Sequence, residues 1–370
     1  MVPEFSMTKL SAGVVEVGKA IPFNVYDAQG QLLLQKSFVI DSRDQLERLY
    51  ECGMYARPST EQAIVTDQRK SQPFLEFPAL LEEADICLTR FLKVEQDSQR
   101  RLKHLSGRIL DLCRDDADAC LALAHTSTVN PSSFKIPLLH AFFVSLIGRQ
   151  LQWPEESLRS AAQAALIANV GYLSLQEILN ESHSLLSDEQ RSVLRKHPDL
   201  AVDTAIQAGI TDAFCLNIIQ QHHEKEDGSG YPLGQSCPEV LVEAQVLNLA
   251  ERYTALISNR AYRERLSVGQ AQQVLAMEIQ NPSLYQAFSQ VLSPFPPGVL
   301  VRLASQEIAV VTHRTSIPEA PRVRAIISAQ GSPYHGSFLR DCTLPEFRIL
   351  HIEQMKQAPI LNSLFLWGTA

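Results

Sequence analysis

The string His222-His223-Glu224-Lys225-Glu226-Asp227-Gly228-Ser229-Gly230-Tyr231-Pro232 constrains this chain more than any other stretch. Its two adjacent histidines follow a dense apolar run, Phe214, Leu216, Ile218 and Ile219, which predicts that the pair ends a buried helix. Neighbours on a helix diverge by roughly 100°, so both rings line one cavity only if it is concave. Asp227-Gly228 and Ser229-Gly230 are turn dipeptides and Pro232 bars a helix from continuing, so Tyr231 is expected exposed on a stiff loop. Paired histidines leading into a Gly-punctuated acidic turn suit metal-phosphate chemistry better than plain packing.

This ordered string resembles the signature of the HD-GYP family, bacterial metal-dependent phosphodiesterases that linearise cyclic di-GMP. The resemblance assigns Asp227, Gly228, Gly230, Tyr231 and Pro232 to the family's GYP loop. Other marks of the family are present: His140 in an apolar helix, His197-Pro198 after a capping box of Ser187 and Gln190, and Arg260-Ala261-Tyr262-Arg263. Where the family carries its His-Asp dyad, this chain has Ala168-Asn169, and Tyr172 replaces the family's lysine. Glu251 and Thr254 stand where the family has aspartates.

Hydrolysis of a phosphodiester with two or more metals needs a carboxylate that bridges neighbouring ions roughly 3.5 to 4 Å apart. Asparagine has no charge to bridge with, and alanine has no ligand atom. His140, His197, His222, His223 and Glu251 are candidates for a single divalent ion, Fe, Mn or Zn. Plain alternatives stand beside them: His140 as a core histidine, Glu251 in a salt bridge to arginine. Arg260 and Arg263, with Tyr231, are candidates for holding phosphate, since the guanidinium fork matches phosphate oxygens. The resemblance therefore implies a degenerate, non-catalytic member that senses cyclic di-GMP or docks diguanylate cyclase-type or other signalling proteins through its GYP loop. An active cyclic di-GMP phosphodiesterase with a reduced metal site is the competing expectation.

The net charge of −8 argues against DNA binding, which draws on clustered Lys and Arg. Seven cysteines without a CxxC pair point to a reducing cytoplasm, and no segment has the apolar length to cross a membrane. The first six residues carry no pattern, and Met7 reads as the natural start. The expected fold class is mainly α. Residues 8–60 read as a small N-terminal β-rich module and 75–128 as amphipathic linker helices suited to a homodimer coiled coil or to packing on the domain itself. Residues 130–293 read as an HD-type helical domain, and 294–355 as a C-terminal β-extension opened by Pro294-Phe295-Pro296-Pro297-Gly298.

Overall fold

A computed structural model describes residues 72–127, 134–172, 187–236, 239–259 and 264–355, with Leu366-Trp367 and short stretches of the first 56 residues. Two compact units emerge, one of residues 71–299 with 313–319 and one of residues 1–70, 300–312 and 320–370.

The second unit holds two small sheets. Strands β1 (Thr8–Lys9), β2 (Val25–Tyr26), β3 (Leu32–Leu34) and β4 (Tyr55–Ala56) pair in the order β1-β4-β2-β3. Residues 42–52, whose sequence reads as a short helix closing this module, lie almost wholly outside the described residues.

The helical unit runs α1 (Pro73–Leu92), α2 (Ser98–Asp115), α3 (Ala117–Ser127), α4 (Lys135–Gln150), α5 (Glu155–Ile167), α6 (Asp188–Gln207), α7 (Ala213–Gln221), α8 (Val242–Ile257), α9 (Val268–Ala276) and α10 (Pro282–Leu292). Local sequence sets several of these ends. Ser187 accepts from the Gln190 amide while the Gln190 side chain accepts from the Ser187 amide, closing the expected capping box of α6. Gly209 follows α6 at φ +88°, a left-handed position that stops the helix without a Cβ penalty. Asp212 then caps α7 by accepting from the amides of Phe214 and Cys215.

Every residue of α4 from Ile136 to Gly148 is buried, so α4 is the central rod around which the unit packs. Leu80, Leu88, Leu102, Leu105 and Ile109 of α1 and α2 belong to the same core as Leu139, Phe142 and Tyr253. Of the two uses expected for the apolar stripe of residues 75–128, packing on the domain's own core is the one seen among the described residues. His125 on α3 joins that core, its Nδ1 2.8 Å from the Pro297 carbonyl and its Nε2 2.7 Å from the Tyr253 hydroxyl.

The C-terminal sheet has the order β8-β7-β6-β5-β9, from β5 (Leu300–Leu303), β6 (Ile308–His313), β7 (Arg322–Ile327), β8 (Pro333–Asp341) and β9 (Ile349–Ile352). β5, β6, β7 and β9 are short runs rich in apolar residues, as a β-extension requires, whereas β8 escapes pattern reading. It opens on Pro333 and is interrupted by Gly336, residues that edge strands tolerate because one side of the ladder goes unpaired. A buried ion pair anchors it: Glu307 accepts from Arg340 at 2.6 Å and from the Tyr334 hydroxyl at 2.8 Å. The five described cysteines are free and buried, and no described helix is long and apolar enough to cross a membrane.

Candidate metal and nucleotide site

His140 sits on α4, Asn169 in the turn after α5, His197 on α6, His222 and His223 just past α7, and Glu251 on α8. The fold thus gathers all five candidate ligands and the second residue of the altered dyad into one buried cluster. The ligand atoms of His197, His222 and His223 lie within 4.8 Å of one another.

The chain makes this trio through its backbone. Pro198 has no N–H, so the Leu194 carbonyl four residues back loses its helical donor; His197 Nδ1 takes that carbonyl at 2.6 Å. His222 Nδ1 does the same with the Ile219 carbonyl near the end of α7, at 2.5 Å. Each ring therefore carries its proton on Nδ1 and turns an Nε2 lone pair inward. The two Nε2 atoms face one another at 3.1 Å. Two lone pairs at that distance repel unless an electrophile stands against both. The Asn248 amide fixes the pair further, donating to the His222 carbonyl at 2.8 Å and lying 3.4 Å from His223 Nδ1.

Glu251 divides its two oxygens. Oε2 lies 3.6 Å from His223 Nε2 and 3.9 Å from His222 Nε2, while Oε1 lies 3.8 Å from His140 Nδ1 and accepts a short hydrogen bond from the Asn169 amide. Among the described residues the charged partners of Glu251 are histidines, and no arginine reaches it. The Asn169 Oδ1 is buried with no hydrogen-bond partner. A nitrogen-rich trio, one carboxylate oxygen and a buried amide oxygen match a borderline divalent ion in donor type. Ala168 is fully buried and supplies no ligand atom. Thr254 hydroxyl is committed to its own helix, donating to the Ala250 carbonyl at 2.7 Å.

Burial sets the protonation of the cluster. It pushes His197 down to about 4, pushes His222 down to about 3 with help from the neighbouring His197, and holds His223 well below the ordinary imidazole range. It pushes Glu251 up to about 8, against the pull of the Asn169 hydrogen bond. His125 is likewise lowered to about 4. A histidine whose folded pKa is depressed lends stability above its unfolded value of about 6.5, and that stability is lost as pH falls toward the folded value. Glu251 acts oppositely, its raised pKa costing stability as pH climbs from about 4.5 toward 8. Four histidines outweigh one carboxylate on the acid side. The melting temperature of chelator-treated protein is therefore expected to fall steeply below pH 6.5, each histidine contributing up to about 1.4 kcal/mol per pH unit. Thermal scans from pH 7 to 4.5 with a flat profile would contradict this protonation scheme.

The GYP loop is held by Glu224, a buried carboxylate that accepts from the backbone amides of Leu233 at 2.6 Å, Gly234 at 3.1 Å and Gln235 at 2.9 Å. Gly230 passes so close that a Cβ there would meet the His223 carbonyl and the Glu224 Cα at 2.5 Å. Loop closure brings the Tyr231 ring onto His223, stacked at 4.7 Å with 27° between planes. The expectation of an exposed Tyr231 is corrected: the ring is partly buried, and the exposed large apolar residue beside it is Leu233 at 59%. The loop is tethered from within, by a carboxylate whose importance local turn patterns do not reveal.

Arg260 and Arg263 lie outside the described residues, and nothing is assigned to the Tyr172 side chain. Arg191 and Arg195, one helical turn apart on α6, do line a cavity of about 840 Å³ beside His223 and Tyr231. Asn248 and these two arginines were legible only as neighbours: Asn248 stands one turn before Glu251, and Arg195 two residues before His197.

An HD domain model matches residues 121–283. A cyclic di-GMP phosphodiesterase of Pseudomonas aeruginosa is 25% identical over 217 residues, 58% of this chain and 52% of that protein. Cyclic di-GMP phosphodiesterase PdeB of Borreliella burgdorferi is 25% identical over 167 residues, covering 44% of each chain. The cyclic di-GMP phosphodiesterase response regulator RpfG of Xanthomonas campestris is 29% identical over 122 residues, 32% of each. The chain thus spans about half the length, or less, of these curated relatives. In fold it matches a HDG"Y"P protein from Bdellovibrio bacteriovorus with a TM-score of 0.52 and 16% identity, covering 78% of this chain and 99% of that one. By these matches the chain is a mainly α protein whose residues 121–283 fit an HD domain and which is similar in sequence to cyclic di-GMP phosphodiesterases.

Proposed function

We propose that this protein acts in cyclic di-GMP signalling as a nucleotide-binding HD-GYP-type domain that holds one divalent ion and does not turn the nucleotide over. The observation that carries the reading is the Asn169 amide donating to Glu251. It occupies one oxygen of the cluster's carboxylate, so Glu251 has a single oxygen left toward His222 and His223 and cannot bridge two ions. Ala168 adds nothing, and burial keeps Glu251 largely protonated at neutral pH until a cation displaces the proton. His197, His222, His223 and Glu251 would hold the ion, with His140 and the Asn169 Oδ1 behind them. A bound divalent ion supplies Lewis-acid polarisation of a phosphoryl oxygen. The chain's own residues orient the donors through Leu194, Ile219 and Asn248 and shelter them from water.

A second role falls on the same loop. Docking of diguanylate cyclase-type or other signalling proteins would use Leu233, the loop's exposed apolar residue, in place of Tyr231.

Calorimetric titration with cyclic di-GMP, run beside a turnover assay in added Mn and Fe, separates the readings. Binding with intact nucleotide recovered after overnight incubation is the expected result. Conversion to linear product at enzyme-like rates would replace this proposal with the active phosphodiesterase.

A further inference from the structure

The cavity beside the histidines has two walls of different chemistry. Its volume of about 840 Å³ is in the range that takes a ligand of nucleotide size. One wall is apolar, formed by Leu249, Met277, Ile279 and Leu284, with Met277 81% exposed. Another part of the lining comes from α6, where Arg191 and Arg195 share one helical face four residues apart. The same helix carries His197, so these cations share a rigid element with the candidate ligand trio.

The charges on the cavity lining are not equivalent. Glu224 spends its carboxylate on three backbone amides of the loop. Asp227 accepts from the Ser229 amide at 2.9 Å, and Glu278 is paired with Arg252. Arg195 has no carboxylate partner among the described residues, and its charge reaches the Tyr231 phenol. Arg191 meets only Asp188, at 3.8 Å on the exposed surface. Two guanidinium groups thus stay available at the mouth of a cavity whose acidic groups are mostly engaged.

Resting on the cyclic di-GMP reading, we infer that Arg195, with Arg191, forms the anion wall of this cavity and holds a phosphodiester of the nucleotide while a base lies on Met277 and Ile279. The planar fork offers two parallel donors to phosphate oxygens, which a lysine cannot reproduce. This position supplies the phosphate-facing charge that Ala168, Asn169 and the rest of the buried cluster do not carry. Both arginines are exposed, so their replacement leaves the core untouched.

The test is calorimetric titration of the full chain and its Arg195→Ala, Arg191→Ala and Arg195→Lys variants with cyclic di-GMP at two salt concentrations. Loss of one charge-assisted phosphate contact corresponds to roughly 10- to 100-fold weaker binding. Arg195→Ala is expected to weaken binding by that factor with an unchanged melting temperature and a shallower salt dependence, and Arg195→Lys to recover part of it. Met277→Ala is expected to weaken binding without altering the salt dependence. If the natural protein binds and both arginine variants bind equally well, the anion wall is wrong while the nucleotide reading stands. If the natural protein does not bind cyclic di-GMP at all, both are overturned.

Discussion

Replacing Ala168 by His and Asn169 by Asp together is expected to raise the metal content from one divalent ion per chain to two. In the natural chain the Asn169 amide donates to Glu251 Oε1, so the carboxylate is clamped by a neutral partner. Asn169→Asp removes that donor and sets a second carboxylate against Glu251 in a site where burial already pushes Glu251 up to about 8. Two carboxylates sharing one buried site cannot both ionise without a cation between them. Ala168→His adds the ligand atom that Ala168, fully buried beside it, lacks. Metal-free, the double variant should melt lower than the natural protein; with Mn or Fe it should regain the loss and more, since ligands that bind only the folded state stabilise it by mass action. Elemental analysis of both proteins after identical reloading decides the matter. Equal stoichiometry in the two would show that Asn169 is not what limits the site.

Removing the carboxylate at position 224 is the second large effect. Glu224→Ala leaves the amides of Leu233, Gly234 and Gln235 without their acceptor and empties a buried volume. Hydrogen bonds to charged groups contribute about 1.5–3 kcal/mol each, and the three act as one unit, so the expected net cost is about 3–5 kcal/mol. For a domain of this size that lowers the melting temperature on the order of 10 °C. Tyr231 should leave His223, because Glu224 is what draws the following turn back against the histidines; the Tyr231 backbone itself reaches the His223 carbonyl at 3.2 Å. Glu224→Gln retains an acceptor oxygen and should restore part of both effects. Hydrogen exchange at 231–235 reads the loop directly, and protection as strong in Glu224→Ala as in the natural chain would remove Glu224 from this role.

The helical domain and its histidines were legible in the sequence because each rests on local chemistry. The apolar stripe of residues 80–109 and the capping box at Ser187 act within a few residues, and the structure places a helix or helix end at each. The histidines announced themselves by the string around them. What sequence could not show is what depends on distant partners. The stripe of α1 and α2 had two possible uses, and only packing against α4 decides for the core. Tyr231 read as exposed because turn residues usually are, yet an acid seven positions earlier folds the loop back onto His223. The polarity of Glu251 was ambiguous until Asn169, 82 residues away, was found on one of its oxygens. The second unit was read as β-rich at both ends, and small sheets stand in both, although much of its first part lies outside the described residues.

The central claim is that the Asn169–Glu251 pair limits this histidine cluster to one ion. It is tested most directly by the metal content of the unsubstituted protein, purified without chelator and then saturated with Mn. One ion per chain is the expected result, lost together in the His197→Ala and His222→Ala variants. Two or more ions per chain would contradict it by showing that the altered dyad still assembles a multinuclear centre, and none at saturation would show that the facing Nε2 atoms of His197 and His222 are not a metal site.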